Sequence, residues 1–294
     1  MYNILITGCA GFIASHLAEK LLKNKKYNII GIDNLYSGTM DNIDLLKKIS
    51  KKRFKFINTD IRKYNEVDNI VKSNNVEYIF HLAAVVSVQE SIKNPIFTNS
   101  VNVIGTLNIL EAARLNGVRR IVFSSSAAVY GDEPSLPKNE NSKLQPISPY
   151  GNEKLISEQY MQLYNNLYGL ETVSLRYFNV YGERQLASSD YSGVISVFDN
   201  AIKNSEIVTI YGNGKQYRDF VYVKDVVQAN IRAMITPEAG GEVFCVGTSE
   251  KTSINELFKI INKKYKKNVE AVYNQQRLGD INKSICDNKK IKRV

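Results

Sequence analysis

The sequence predicts an α/β protein built on a doubly wound parallel sheet, and three observations support this fold class. Short apolar runs typical of buried strands alternate with helical patterns along most of the chain. A turn with two glycines separates the first such run from the first helix, and an aspartate ends the second run. In open parallel sheets the ligand site lies outside the carboxyl ends of the strands. We therefore expect a binding site at that edge of the sheet.

The size and composition are those of a large globular chain. With 294 residues it is long enough for one large domain or two. No apolar run approaches the ~20 residues needed to span a bilayer, and no basic region precedes the first apolar run, so we expect no signal peptide. The three cysteines, Cys9, Cys245 and Cys286, show no metal-ligand spacing. We expect a cytoplasmic protein without membrane association or a metal site.

The net charge of +10 bears on possible partners. Nucleic-acid binding typically requires basic residues gathered in one patch or stripe. Here the lysines form many short clusters, such as those at 23–26 and 47–48. We therefore expect no nucleic-acid partner, although the basic balance suits an anionic small-molecule substrate.

The first predicted unit is a strand, a glycine turn and a helix. An apolar strand from Asn3 to Thr7 is followed by Gly8 and Gly11, with Ala14 in place of a third glycine, and then by leucines at helical spacing. Glycines let the backbone approach a pyrophosphate closely, and a helix N-terminus offers free N–H groups. The pattern indicates a dinucleotide site, although its spacing differs from the usual glycine fingerprint.

The second strand ends at Asp33, about 20 residues after the glycines. A carboxylate at this place suits the ribose hydroxyls of an adenosine and would repel a 2′-phosphate, which favours NAD over NADP. The alternative is that Asp33 only begins the turn that runs to Gly38.

Two further strands and a long helix extend this pattern. We predict strands over 54–57 and 78–80 and a helix over about 95–116. Small residues after the fourth strand would let a flat ring approach closely. We expect His81, which directly follows that strand, to be packed and hydrogen-bonded rather than catalytic.

A serine-rich strand end and a tyrosine–lysine pair form the central feature. The strand 120–123 runs into Ser124–Gly131, and a helix after Pro149 carries Tyr150 and Lys154 four residues apart on one face. An ammonium near a phenol favours the phenolate. We therefore expect a lowered pKa for Tyr150 and a role as proton acceptor. The alternative is a solvated helix face, since Tyr-x-x-x-Lys alone is a weak signal.

From about residue 180 the regular alternation changes. We predict a loop over 132–148, helices near 193–203, 226–234 and 254–265, and strands near 207–210, 218–223 and 243–246. We divide the chain into a dinucleotide-binding domain over 1–179, with a return segment near 220–247, and a smaller, mostly substrate-binding domain over 180–294.

Taken together, these features resemble the extended short-chain dehydrogenase/reductase superfamily, and within it the NAD-dependent nucleotide-sugar epimerases, over nearly the whole chain. Each motif is weak alone, but they occur in the family's order and spacing: Thr7–Ala14, Asp33–Leu35, Asp60–Arg62, His81–Ala84, Asn102–Thr106, Ser124–Gly131, Ser148–Lys154, Arg176–Gly182 and Tyr217–Val223. The resemblance implies a Rossmann-type fold, bound NAD and a UDP-sugar substrate.

The resemblance also implies roles for matching positions. For NAD it implies pyrophosphate contacts from Gly8, Gly11, Phe12 and Ile13, an adenosine ribose contact from Asp33, adenine contacts from Asp60 and Ile61, and further contacts from Asn34, Ser37, Gly38, Leu82, Ala83, Ala84, Asn102, Ser124, Tyr150, Lys154 and Tyr177. For the substrate it implies Ser126 at the sugar 4-hydroxyl, Asn179, Arg218 and Arg277 at the diphosphate, Thr209 and Tyr211 near the uracil, and contacts from Ser87 and Ser284.

The implied reaction is a transient oxidation at C4 of the sugar. Tyr150, assisted by Ser126 and Lys154, takes the proton from O4 while C4 gives a hydride to NAD. The 4-keto sugar then turns and takes the hydride back on its other face. Because NAD returns to its starting state, we expect it to stay bound.

Two details narrow the substrate. Related 4,6-dehydratases carry an acid/base pair where this chain has Ala127 and Ala128, which argues against a dehydratase. In the family, the position seven residues after Arg277 gates an N-acetyl group: a bulky tyrosine excludes it and a small residue admits it. Ser284 therefore predicts that UDP-GlcNAc and UDP-GalNAc are accepted as well as or better than UDP-Glc and UDP-Gal. The alternative is that Ser284 is an ordinary strand residue.

Some features depart from the family pattern, and other functions stay open. Ala14 replaces a glycine, Lys224 replaces a common aspartate, and the sequence ends at Val294 where relatives continue, so we expect a truncated or naturally short chain.

The alternatives are another nucleotide-sugar epimerase or reductase, such as a UDP-uronate epimerase, or a non-catalytic dinucleotide-binding relative. The resemblance further implies a homodimer formed through the helices near 101–116 and 150–167.

Overall fold

The computed structural model describes residues 1–186, 193–276 and 281–294. Its strands are β1 (Tyr2–Thr7), β2 (Tyr27–Asp33), β3 (Phe54–Asn58), β4 (Tyr78–His81), β5 (Arg120–Ser126), β6 (Glu171–Tyr177), β7 (Asn179–Tyr181), β8 (Val208–Tyr211), β9 (Tyr217–Arg218), β10 (Phe220–Tyr222), β11 (Val243–Val246), β12 (Thr252–Ser253) and β13 (Ala271–Asn274). Seven of them form one sheet in the order β11-β6-β5-β4-β1-β2-β3, and all six pairings in it are parallel. The predicted Rossmann-type fold is confirmed.

The helices are α1 (Phe12–Leu22), α2 (Met40–Ile49), α3 (Tyr64–Ser73), α4 (Val88–Lys93), α5 (Pro95–Asn99), α6 (Gly105–Leu115), α7 (Pro149–Tyr168), α8 (Val194–Lys203), α9 (Val223–Ile235) and α10 (Ile254–Tyr265). A π-helical segment, Ser100–Ile104, joins α5 to α6, so the long helix predicted over 95–116 changes its hydrogen-bond pattern in the middle. The helices α2, α3 and α4 and the strand β13 were not individually predicted from the sequence.

The main sheet separates two hydrophobic cores because its strands alternate their side chains. In β1, Ile4 and Ile6 face the core formed with α1, α2 and α9, whereas Leu5 faces the core formed with α3, α6 and α7. All three side chains are fully buried, and each contributes roughly 1.5–3 kcal/mol by leaving water. This packing holds the carboxyl ends of the strands, and hence the site, in a fixed arrangement.

The remaining strands form three small sheets. These are the parallel pair β7–β10, the antiparallel pair β9–β12 and the parallel pair β8–β13. A separate core packs α8 and α10 against β8, and its fully or nearly buried residues are Phe198, Ile202, Val208, Ile210, Ile254, Leu257 and Ile261. None of the helices in the described part of the chain combines the length and the apolar character that crossing a membrane requires.

Candidate active site

A cavity of about 480 Å³ opens at the carboxyl ends of the parallel strands. It runs from the glycine turn after β1, past the ends of β4 and β5, to the first turn of α7. Most of the residues predicted to form the site line it: Gly8, Gly11, Phe12, Ile13, Asp33, Asn34, Ser37, Asp60, Ile61, Leu82, Ala83, Ala84, Ser124, Ser126, Tyr150, Lys154, Tyr177 and Asn179. The sheet topology therefore brings together residues that are distant in sequence.

The glycine turn has a conformation that only glycine adopts easily. Gly8 has a φ of +68°, and a Cβ placed on it would lie 2.9 Å from the Cα of Ala83. Gly11 precedes α1, and no side chain caps that helix. The N–H groups of the first turn of α1 therefore point toward the cavity end without a side-chain partner, which suits a bound phosphate.

Asp33 combines a structural role with its place at the cavity. Its Oδ2 accepts from the N–H of Ala10 at 2.9 Å, and its Oδ1 accepts from the N–H of Leu35 at 2.7 Å. Burial raises the pKa of this carboxyl. Asp33 thus ties the β2 turn to the glycine turn and also lines the cavity, so the two sequence interpretations are compatible.

At the same end, Asp60 pairs with Arg62 at 2.7 Å and accepts from Asn34 at 3.1 Å. The hydrogen bonds from Arg62 lower the pKa of Asp60 to about 2. Two aromatic residues that sequence reasoning missed, Tyr36 and Phe97, also line the cavity here, with ring centroids 5.4 Å apart. No local pattern marks them, because they lie on different elements and meet only in the fold.

Two predicted cofactor residues support the wall instead of lining it. At Gly38 a Cβ would lie 2.6 Å from the Cβ of Ala10, so this glycine lets the two turns pack together. Asn102 holds Val85 of the cavity wall: its Oδ1 accepts from the Val85 N–H at 2.8 Å, and its Nδ2 donates to the Val85 carbonyl at 2.9 Å.

The three predicted catalytic residues meet at the other end of the cavity. Ser126 ends β5, and Tyr150 occupies the first turn of α7, which begins with Pro149 and is capped by Ser148. The Nζ of Lys154 donates to the carbonyl of Ser124 at 2.7 Å and lies 6.0 Å from the ring centroid of Tyr150. The hydroxyl of Ser126 forms a hydrogen bond with Tyr150.

Burial is the largest influence on the pKa values of Tyr150 and Lys154. It raises the pKa of Tyr150 to about 12, against the hydrogen bond with Ser126 that favours the phenolate. It also lowers the pKa of Lys154 to about 7. The sequence-based expectation of a lowered pKa for Tyr150 is therefore wrong for the protein by itself, because desolvation of the phenolate outweighs the hydrogen bond with Ser126.

His81 is fully buried, as expected for a packed histidine. Its Nδ1 lies 2.8 Å from the Thr7 hydroxyl and its Nε2 lies 2.9 Å from the Thr106 hydroxyl. Burial lowers its pKa to about 3, so the ring is neutral and links β1, β4 and α6.

The predicted substrate residues of the second half are more scattered. Thr209 and Tyr211 alternate on β8 with the buried Val208 and Ile210. On β9, Arg218 donates to the carbonyl of Asn282 at 3.2 Å. The described wall of the cavity contains none of Ser87, Thr209, Tyr211, Arg218 and Ser284.

The other predicted positions are placed as follows. Ser87 caps α4 by accepting from the N–H of Glu90 at 3.0 Å. Ser284 is buried, and its N–H donates to the carbonyl of Tyr217 at 3.1 Å. Arg277 lies outside the described residues.

Several wall residues from the second half were missed from the sequence. Arg184, in a loop with a φ of +66°, donates to the Ser15 hydroxyl at 3.1 Å and pairs with Glu19, both on α1. The others in the described wall include Phe178, Val180, Tyr181, Gln185, Leu186, Gly193, Val194, Ile195 and Phe220. The motifs Arg176–Gly182 and Tyr217–Val223 include part of this set, but nothing in the sequence singled out Arg184.

Comparison with known proteins places this geometry in context. The sequence profile of the NAD dependent epimerase/dehydratase family matches residues 4–247. A putative UDP-glucose 4-epimerase of Methanocaldococcus jannaschii is 43% identical over 289 residues, which cover 98% of this chain and 90% of that protein.

Two solved structures are similar over the whole length. UDP-glucose 4-epimerase with UDP-glucose from Thermotoga maritima has a TM-score of 0.93 and 39% identity, covering 99% of this chain and 91% of that one. UDP-N-acetylglucosamine 4-epimerase from Methanobrevibacter ruminantium M1, in complex with UDP-N-acetylmuramic acid, has a TM-score of 0.92 and 36% identity, with the same coverage of 99% and 91%.

Proposed function

The chain belongs to the NAD-dependent epimerase/dehydratase family and is a UDP-sugar 4-epimerase with NAD as its cofactor, and we propose that its substrates include N-acetylated UDP-hexoses. The observation that carries the assignment is the continuity of one cavity from the glycine turn to Ser126, Tyr150 and Lys154. A dinucleotide and a sugar can thereby meet at the catalytic group.

The residues present fit NAD. The uncapped N-terminus of α1 and the close passage at Gly8 suit a pyrophosphate. Asp33 supplies a carboxylate at the cavity wall, which suits ribose hydroxyls and repels a 2′-phosphate. NAD is therefore favoured over NADP.

The catalytic residues act on the proton of the sugar O4. Tyr150 accepts this proton and later returns it, while Ser126 orients the 4-hydroxyl by hydrogen bonding. Lys154 holds its position through the Ser124 carbonyl. Its positive charge favours the phenolate form of Tyr150, which is the form that accepts the proton. When bound, NAD supplies hydride acceptance from C4 and hydride return to the other face of the 4-keto sugar.

The substrate preference depends on residues of the second half. We assign the diphosphate to Asn179, Arg218 and Arg277, and the uracil side to Thr209 and Tyr211. We assign Ser284, whose side chain is small and buried, to the position where a small residue admits an N-acetyl group and a tyrosine would exclude it. The similarity to a UDP-N-acetylglucosamine 4-epimerase supports this preference.

We also propose that the protein forms a homodimer through its long helices. Apolar side chains are exposed on α5, the π-helical segment and α7, namely Ile96 (88%), Ile104 (47%), Leu163 (48%) and Leu167 (67%). A second copy would cover them. Light scattering after size exclusion tests this: we expect the mass of two chains, and charged substitutions at Ile96 and Leu167 should give monomers.

The function is tested by incubating purified protein, without added NAD, separately with UDP-GlcNAc, UDP-Glc and UDP-glucuronate. We expect NMR to show C4 epimers of the first two, with UDP-GlcNAc converted at least as fast. Conversion of UDP-Glc alone would contradict the N-acetyl assignment. Conversion of UDP-glucuronate alone would replace the proposed substrate by a uronate.

A further inference from the structure

A buried carboxylate lies beside the catalytic pair and has no role in the scheme above. Glu153 precedes Lys154 on α7, one turn after Tyr150, and it is only 2% exposed. Thr98 Oγ1 donates to its Oε1 at 2.6 Å, and Asn102 Nδ2 donates to its Oε2 at 2.6 Å. Across residues 1–186, 193–276 and 281–294 it forms no ion pair. Because an unpaired buried carboxylate is costly, its presence points to a use for the charge.

The partners of Glu153 connect it to the cavity wall. Asn102 lies in the π-helical segment Ser100–Ile104, and such segments are frequent at functional sites. Asn102 also holds both backbone polar groups of Val85, which lines the cavity. On α7 itself, Ser157 donates to the carbonyl of Asn102 at 2.9 Å. The carboxylate therefore sits between the catalytic helix and the wall that the cofactor contacts.

We propose that Glu153 is a positioning residue of the epimerase reaction, whose buried negative charge acts on Tyr150 and Lys154 and sets the pH range in which the pair works. The kinetic part of this inference rests on the proposed function. The carboxylate touches neither substrate nor cofactor in this scheme, and it acts only through its two neighbours on α7.

The direction of the effect follows from the charges. Burial lowers the pKa of Lys154, and the carboxylate of Glu153 opposes this. Burial raises the pKa of Tyr150, and Glu153 also raises it after the opposing hydrogen bond with Ser126. Without the negative charge, both groups would lose their proton at lower pH.

Other titratable groups on the elements packed against α7 have their own partners. His81 at the end of β4 is held by two hydroxyls, and Lys93 on α4 is exposed. The remaining ones are bonded as follows: Glu90 to Asn94, Glu111 to Arg114 and Tyr164, Arg120 to Glu171, Glu158 to Arg176 and Ser125, Tyr130 to Arg176 and Cys245, and Tyr177 to Asn230. Glu153 is the carboxylate whose charge raises the pKa of both Tyr150 and Lys154.

The test compares Glu153→Gln with the wild type in two measurements. Glutamine has the same shape and still accepts from Asn102 and donates to Thr98, but it carries no charge. We expect the acid limb of kcat/KM for a UDP-hexose to move about one pH unit toward acid. In the second measurement the near-ultraviolet phenolate absorbance of the holoenzyme is titrated without substrate. The part of the absorbance change that is absent in Tyr150→Phe belongs to Tyr150, and its midpoint should also move toward acid.

The controls separate charge from structure. Glu90→Gln makes the same chemical change on α4, and we expect no shift in either measurement. Glu153→Asp keeps the charge, so its acid limb should stay near that of the wild type. A lower melting temperature and lower activity in Glu153→Gln without any shift would overturn the proposal, as would an acid shift in Glu153→Asp. A shift in the phenolate titration with no epimerase activity in the wild type would instead overturn only the proposed function.

Discussion

We call residues 1–179, with the return segment near 220–247, the first half of the molecule, and the rest the second half. One seven-stranded sheet with a core on each face carries the glycine turn, Ser126 and helix α7 in the first half. In its described residues, the second half contains the two-stranded sheets β8–β13 and β9–β12 and the smaller core of α8, α10 and β8, and the pair β7–β10 lies at its boundary with the first half. A further cluster joins Cys245 and Cys286 to Val129, Tyr130 and Phe178. The segments of the second half are joined instead through Asp219, which is fully buried. The proposed catalytic residues therefore stand on a continuous scaffold, whereas the segments proposed to bind the substrate are joined by a few long-range contacts.

Two buried carboxylates summarise this difference. Glu153 accepts from two side chains within the scaffold. Asp219 accepts from the N–H groups of Thr248, Ser249 and Cys286 at 2.7, 2.8 and 3.1 Å, and from the Thr248 hydroxyl at 2.7 Å. We expect changes around Glu153 to alter catalysis, and changes around Asp219 to alter substrate binding and local stability first.

The largest expected effect is on catalysis in the first half. Tyr150→Phe removes the group that accepts the O4 proton, so kcat should fall by about 10²–10⁴-fold. Bound NAD, measured after denaturation of the purified protein, should stay near the wild-type amount. A variant that keeps more than a tenth of the activity would show that Tyr150 is not the proton acceptor.

The next effect concerns the second half. Asp219→Ala leaves several buried donors without an acceptor, which should destabilise this half by about 3–5 kcal/mol. We expect a lower melting temperature and a higher KM for the UDP-sugar while NAD stays bound. Asp219→Asn, which keeps one acceptor oxygen, should lose less. Loss of NAD together with substrate binding would contradict the separation of the two halves.

A smaller effect is expected on the sugar preference that we assign to Ser284. Ser284→Tyr adds bulk at a buried position, and we expect the ratio of kcat/KM for UDP-GlcNAc to that for UDP-Glc to fall about tenfold. Ser284→Ala is the matched control and should leave the ratio unchanged. An equal loss of kcat/KM for both UDP-sugars would mean that Ser284 only contributes to packing.

The smallest effect is on the pH dependence of stability. Burial lowers the pKa of Lys154 from 10.5 to about 7. Between these values the unfolded chain binds more protons, so this group makes the free energy of unfolding rise with pH. Lys154→Met removes that contribution. Its melting temperature should exceed that of the wild type by several degrees near pH 7, with the gap closing toward pH 10. A difference in melting temperature that does not change with pH would show that burial does not lower the pKa of Lys154.

The sequence predicted the first half well because local patterns there have a fixed geometric meaning. Gly8 follows β1, Asp33 ends β2 and Ser126 ends β5, and parallel strands bring their carboxyl ends to one edge. Tyr36, Phe97 and Arg184 could not be predicted, because each reaches the cavity through contacts between distant segments. The pKa direction of Tyr150 was wrong for a related reason: the sequence shows the neighbouring lysine but not the burial.

The strand pairs of the second half could not be predicted from the sequence, because they join segments that are far apart in the chain. Strand β13 pairs with β8, and the bridge from Lys138 to Cys286 crosses between a loop and the end of the chain. Such pairings leave no periodic signal in the sequence, so the substrate residues assigned there depend on the resemblance.

In the proposed reaction, C4 of the sugar is oxidised and then reduced within one site. This reaction is tested most directly with UDP-glucose carrying deuterium at C4, incubated with the protein in ordinary water without added NAD. We expect the NMR spectrum to show that both C4 epimers keep the deuterium at C4, and we expect no free NADH to accumulate. Epimers that have lost the deuterium to solvent would contradict the account, because the hydrogen would then have left as a proton and not as a hydride.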